Sequence, residues 1–189
     1  MPKVAATSSI LDLNAGGGSV LPAESLQVRW YAAYTVANHE KRVAEQLIQR
    51  PVEFFLPLYA SMRKWKDRRV TLDLPLFPGY VFVQIALRDR LKVLQIPGVA
   101  NLVSFGGTPV ALPEGEIEAL RTSLGSGLPV EPHPFLTAGR RVRIKSGPLA
   151  GLEGIVIRRR NRLRLIISLA LIHCAASVEV EAADLEGVR

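Results

Sequence analysis

Apolar positions along residues 28–124 switch period several times, and each switch marks an element. Residues 28–35, rich in Trp and Tyr, read as a strand. The stretch 39–49 sets Val43, Ala44, Leu47 and Ile48 at helical spacing, with Asn38 as a cap and Pro51 as a stop. Strands follow at 54–60 and 70–74, on either side of a basic loop. Residues 75–79 make a turn. Residues 80–85 then alternate as a strand, with Val81, Val83 and Ile85 on one face and Tyr80, Phe82 and Gln84 on the other. A short helix over 88–95 ends before Pro97-Gly98, and a strand over 99–105 ends at Gly106-Gly107. Pro113 opens a helix running to Leu124, where Glu114, Glu116 and Glu118 suit the positive end of the helix dipole. The order β-α-β-β-β-α-β-α describes an α+β sandwich with helices packed on a mainly antiparallel sheet.

The flanking segments read differently. Residues 1–27 are small and polar around Gly16-Gly17-Gly18-Ser19, as in a flexible tail. Residues 125–135 gather Gly125, Gly127, Pro129, Pro132 and Pro134, as in a linker. Over 136–189 short strands recur without helix, at 141–145, 154–160, 163–169 and 178–181, punctuated by glycines. That is the pattern of a small all-β barrel. Alternation sets Arg158, Arg160, Arg162 and Arg164 on one face, unless the turn at Asn161 shifts the register.

Charge and composition narrow the chemistry. The chain has 189 residues and a net charge of +7, and its pI of about 10.0 suits an anionic partner. The single cysteine, Cys174, excludes an internal disulfide framework and fits a reducing compartment. No apolar run approaches the roughly 20 residues that span a bilayer, and no apolar block near the start suggests a secretory signal. A cytoplasmic chain is expected. His39, His133 and His173 lack metal-ligand spacing. Cys174 and His173 are sequence neighbours rather than a nucleophile–base pair, and no phosphate-binding or dinucleotide fingerprint occurs. No enzyme activity, metal or cofactor is expected.

Three segments carry a family resemblance. The first is Trp30-Tyr31 followed by Asn38-His39-Glu40-Lys41-Arg42-Val43. The second is Pro75-Leu76-Phe77-Pro78-Gly79-Tyr80-Val81-Phe82-Val83, similar to the F-P-G-Y-V segment of NusG amino-terminal (NGN) domains. The third resembles a KOW motif: Gly139, Val142 and Arg143, then Gly147, Pro148, Gly151 and Gly154. Together, in order and across about residues 28–186, they resemble the NusG family of transcription elongation and antitermination factors. The resemblance implies a non-catalytic protein with a tail (1–27), an NGN-type α/β sandwich (28–124), a linker (125–135) and a KOW β-barrel (136–189). Leu56-Pro57-Leu58, the basic loop and Pro75-Leu76-Phe77-Pro78 are closer to the specialised UpxY and RfaH branch, which acts at selected operons. A housekeeping NusG, or a KOW-type RNA-binding or ribosome-associated protein, stands as the alternative.

Carried over position by position, the resemblance implies that Tyr34, Phe77, Tyr80, Phe82 and Phe105 grip the clamp helices of the largest catalytic subunit of bacterial RNA polymerase. The bland reading is that these rings pack a helix on the sheet. For Arg63, Lys64, Trp65, Lys66, Arg68 and Arg69 two readings stand: contact with non-template or upstream DNA, or a solvated hairpin tip. Lys41 and Arg42 open the first helix, and Arg42 falls where relatives place a DNA-contacting arginine. Val36 and Gln46 depart from that pattern. Residues 88–92 lie where relatives touch the polymerase gate loop, or simply form a solvated face. The stretch 166–176, with Leu169, Leu171, Ile172 and His173, resembles the loop by which KOW domains meet a small-subunit ribosomal protein or Rho. The Val, Ile and Gly content of the carboxy-terminal domain favours strand over helix, so a constitutive barrel is expected. A monomer with no membrane contact is expected.

Overall fold

The computed structural model describes residues 26–65, 68–136, 139–159 and 162–188. Most of the expected tail, Lys66, Arg160, Asn161 and the side chain of Arg159 lie outside the described residues. The amino-terminal unit runs β1 (Val28–Thr35), α1 (Glu40–Ile48), β2 (Glu53–Phe55), β3 (Leu58–Lys64), β4 (Arg69–Pro75) and β5 (Tyr80–Ala86). It continues with α2 (Leu91–Leu94), β6 (Val99–Leu102), β7 (Ser104–Phe105), β8 (Thr108–Pro109), β9 (Ala111–Leu112) and α3 (Glu114–Gly125). The carboxy-terminal unit holds β10 (Val130–Pro134), β11 (Arg140–Ile144), β12 (Glu153–Arg159), β13 (Arg162–Leu169), β14 (Cys174–Val180) and β15 (Leu185–Gly187). The architecture is α+β. Among the described residues no helix is long and apolar enough to cross a membrane.

The central sheet has the order β2-β5-β1-β6, with β9 pairing the start of β1. Register decides which side chains share a face. Tyr34 stands opposite Tyr80 and Ala32 opposite Phe82, while Tyr31 meets Val83 and Ala33 meets Val81. The expected alternation of β5 therefore holds, and each face builds its own core. On one face, Val43 and Leu47 of α1, Val93 of α2 and Ile96 close over Tyr31, Ala33, Val81, Val83 and Ile85. The second face carries Trp30, Ala32 and Phe82, joined by Leu76, Phe77 and Leu112, and meets Ile117 and Leu120 of α3.

Several elements differ from the sequence expectation. Residues 54–60 form two strands, because Pro57 interrupts the ladder and β3 leaves the central sheet to pair only with β4. The strand over 99–105 also splits, and β7 and β8 form a separate ribbon. Residues 88–95 divide into a 3-10 turn at Leu87–Asp89 and the single turn of α2. Asn38 does not cap α1 through its side chain. It takes a left-handed conformation with φ of 61°, and His39 occupies the cap position.

The stretch 125–135 is only partly a connection. Val130 is buried, and β10 pairs with β14 as one edge of the sheet β10-β14-β13-β12-β11-β15. Pro132 and Pro134 are tolerated there because an edge strand need not donate from both sides. The basic hairpin also corrects the expectation. In the β12–β13 register Ile157 opposes Arg164 and Arg158 opposes Leu163. The pairing of β12 with β13 sets the parity, so Arg158 shares a face with Leu163 and not with Arg162 and Arg164. Those two are already paired, Arg162 with Glu179 at 2.6 Å and Arg164 with Glu131 at 2.5 Å. The β-unit is built from strands, with no helical hairpin among the described residues.

Candidate functional site

The Phe77–Tyr80 turn is held from two sides. The Thr35 amide donates to the Gly79 carbonyl at 2.8 Å. The Gly79 amide in turn donates to Glu40 Oε1 at 2.6 Å. Glu40 is only 4% exposed, so the first residue of α1 fixes a turn 39 residues further along the chain. A buried carboxylate accepting from an amide is a strong pairing, and a costly one to leave unmade. Gly79 has φ of +85°, and a Cβ there would stand 3.3 Å from Tyr34 Cε2. The missing side chain is what lets the Tyr34 ring lie on the turn.

Around this turn the five expected aromatic residues separate into three groups. The Tyr34 and Tyr80 rings lie 5.5 Å apart at 55°. Tyr34 is 46% exposed and Tyr80 is half-buried. Phe77 and Phe82 meet edge-on at 5.9 Å, with Phe55 at 6.3 Å from Phe82. These two are 2% and 0% exposed, which corrects the expectation that they stand open to a partner. Apolar rings, on the turn as in the strand, are stabilised by closure, each contributing on the order of 2–3 kcal/mol through burial. Phe105 is 84% exposed at the tip of the β7–β8 ribbon.

The second face does not end at α3. Its apolar cluster runs on through Ile117 and Leu120 to Leu165, Leu169, Ile172 and Ala176 of the β-unit. Leu169 and Ile172 belong to the stretch expected to meet a partner. Tyr80 senses the β-unit directly: burial, then Cys174 and then Tyr34, raise its hydroxyl above the usual tyrosine range. Burial likewise pushes the Cys174 thiol up. At the other end of the face, the Arg121 guanidinium lies 4.8 Å from the Trp30 ring and 5.4 Å from Phe55, and bonds Glu53 at 2.7 Å. Between α3 and the β-unit a cleft of about 760 Å³ is lined by Glu116, Ala119, Arg141, Val142, Glu153 and Ile166, among others. Burial raises the Glu116 carboxyl above its ordinary range.

A family profile described as "Transcription termination factor nusG" matches residues 28–121. The "Transcription termination/antitermination protein NusG" of Deinococcus radiodurans is 30% identical over 158 residues, which cover 69% of this chain and 83% of that one. The chain belongs to the NusG family. A second NusG, from Rickettsia prowazekii, is 27% identical over 167 residues, covering 80% of this chain and 87% of its own length. A solved structure described as "Domain interaction in Thermotoga maritima NusG" aligns with a TM-score of 0.52 and 22% identity, covering 87% of this chain and 99% of that one. That likeness supports the fold. NusG proteins are transcription termination/antitermination factors and not enzymes.

The cations of the chain are spread over both sides of the sheet. Lys41 and Arg42 are exposed on α1, which packs on the first face. Arg63, Lys64, Arg68 and Arg69 are exposed on the β3–β4 hairpin, whose Tyr59 packs against the cluster of the second face. Trp65 is 53% exposed, with the Arg68 guanidinium 5.7 Å from its ring and its own amide donating to the Arg68 carbonyl at 2.8 Å. The hairpin end thus presents an indole already stacked with a cation. Gln46 has a structural task, its Nε2 donating to the Pro97 carbonyl at 3.3 Å. In residues 88–92 the charges pair among themselves, with Asp89 2.8 Å from Lys92 and 3.5 Å from Arg88. The Lys92 hydrogen bond holds the Asp89 carboxyl below its ordinary range.

The KOW-like residues serve the β-unit. Val142 is buried, and Arg143 bonds Glu153 across β11 and β12. Gly147, Pro148 and Gly151 shape the connection between those strands, and Gly139 leads into β11. A Cβ on Gly154 would meet the Ile166 carbonyl at 2.4 Å, so β12 and β13 close only over glycine. Glu40 and Arg121 escaped sequence reasoning. An acidic residue at a helix start reads as a dipole partner, and its bond to a turn 39 residues away has no local signal.

Proposed function

We propose that this chain is a transcription elongation factor that docks on RNA polymerase through the second sheet face and suppresses pausing and termination. The observation that carries the reading is the Tyr34–Tyr80 platform. It is fixed on the turn, partly open, and continuous on its own face with Phe82 and Phe77. Aromatic anchors of this kind dominate binding energy at small interfaces. The partner is a protruding pair of helices, the clamp helices of the largest catalytic subunit. Full use of the face requires α3 and the β-unit to yield Phe77 and Phe82.

The β3–β4 hairpin, with Lys41 and Arg42 of α1, supplies cations for non-template or upstream DNA, and Trp65 supplies a ring for an unpaired base. The loop around Leu169 and Ile172, once uncovered, is the surface for a ribosomal protein or for Rho. We assign the chain to the specialised branch, acting at selected operons. A second NusG homologue in the same genome, with this one heading a long biosynthetic operon, is the expected context; a sole copy points to the housekeeping role.

Tyr34→Ser combined with Tyr80→Ser tests the docking. Binding to purified core polymerase is expected to weaken by at least about tenfold, with the circular dichroism spectrum unchanged. Unaltered affinity in a folded double variant removes the docking face.

A further inference from the structure

The β3–β4 ribbon stands apart from both larger sheets. Its register runs unbroken from Leu58 opposite Pro75 to Lys64 opposite Arg69. Neither strand pairs with any other among the described residues. Opposed residues of an antiparallel pair share a face, so this register sorts the ribbon in two. Tyr59, Ser61, Val70 and Leu74 are partly buried on one face, where Tyr59 packs against the apolar cluster of the second sheet face. The other face is open. Ala60, Met62, Lys64, Arg69, Thr71 and Asp73 are all exposed on it, Met62 by 68%. Arg63, Lys64, Arg68 and Arg69 crowd the outer end, and none of them forms an ion pair among the described residues.

We infer that the open face enters the major groove of duplex DNA and reads base edges there. Lys64 and Arg69 meet guanine, Met62 and the Thr71 methyl meet thymine methyls, and Arg63 and Arg68 meet the flanking phosphates. The hairpin's role as a DNA contact, assigned above, is the premise; what is added is the form of DNA and the side chains that discriminate. The groove, about 12 Å wide, admits a two-stranded ribbon. Each strand has 7 residues, a reach of about 23 Å at about 3.3 Å per residue. The cationic end therefore leads into the groove. Asp73, opposite Ala60 near the base of the ribbon, keeps phosphates from approaching further.

A single strand is bound differently, by successive rings on which its bases stack. The ribbon end offers one such ring, Trp65, and the Arg68 guanidinium already lies 5.7 Å from it. Between that end and the body the open face carries methyl groups and a thioether, not rings. Such groups suit thymine methyls in a groove better than the flat face of an unpaired base.

Selection from a pool of short duplexes with a randomised centre, using the full-length chain, tests the inference. The expected result is enrichment of a motif containing guanine and thymine. On the enriched duplex, Met62→Ala combined with Thr71→Ala should lose about tenfold in affinity. Binding to an unselected duplex of equal length should change by less than about twofold, with the circular dichroism spectrum unchanged. Uracil in place of the motif's thymines should weaken the wild type and leave the double variant unmoved. Absence of enrichment, a double variant that matches the wild type on the enriched duplex, or tighter binding to either of its single strands overturns the groove reading and leaves the DNA contact standing. If the wild-type chain binds neither duplex nor single strand, the DNA contact and the groove reading fall together.

Discussion

Glu40 shows how one side chain can organise a surface it does not belong to. Its carboxylate, buried among α1 and the sheet, receives the Gly79 amide and thereby sets the turn on which Tyr34 rests. Glu40→Ala leaves that amide without its acceptor and should cost about 1–3 kcal/mol in urea unfolding. Phe82 belongs to a different class. It is fully buried between Phe55 and Phe77, so Phe82→Ala should lose about 3–5 kcal/mol and report on stability before binding. Tyr34 and Tyr80 are the residues whose change isolates docking. The aromatic residues of this corner are legible in the sequence, because strand alternation assigns Tyr80 and Phe82 to one face. Their exposure is not, since it depends on what α3 and the β-unit place above them.

At the scale of elements, parity and edges account for most differences between sequence and structure. In the amino-terminal sheet β1, β2, β5 and β6 are legible in the sequence and the two-residue β9 is not. The helices are legible from spacing and from Pro113 with its glutamates, and ends shift where a proline or a new pairing partner intervenes. Pro57 divides β2 from β3. Pro132 and Pro134 look like linker residues, yet they form an edge strand because β14 offers a partner that local sequence cannot reveal. The β12–β13 register separates Arg158 from Arg162 and Arg164. The close approach at Gly154 gives a prediction at this scale. Gly154→Ala forces a methyl against the Ile166 carbonyl and should destabilise the chain by about 1–3 kcal/mol, measured by urea unfolding. Arg162→Ala, by contrast, removes an exposed pair with Glu179 and should leave the urea midpoint close to that of the wild type.

For the whole molecule the decisive feature is that one apolar cluster serves two units. The face expected to hold a partner and the loop expected to hold another are both closed into it, with Tyr80 and Cys174 at its edge. The family and both folds were legible from three motifs; this mutual closure was not, because no local pattern encodes how two finished sheets meet. Glu116 supplies a check from pH. Its carboxyl is raised by burial in the cleft that Arg141 and Glu153 also line, so the native state holds that proton more tightly than the unfolded chain. Stability should therefore rise as pH falls from about 7 toward about 5, and Glu116→Gln should flatten that rise in urea titrations. The central claim is that the face now closed by the β-unit is the face that polymerase takes. Replacing Tyr80 by p-benzoylphenylalanine and irradiating with and without core polymerase tests it directly. The account predicts a crosslink within the chain, near Cys174, when it is alone, and to the clamp helices of the largest polymerase subunit when polymerase is bound. An internal crosslink that persists undiminished on fully bound chains, with none to that subunit, would contradict it.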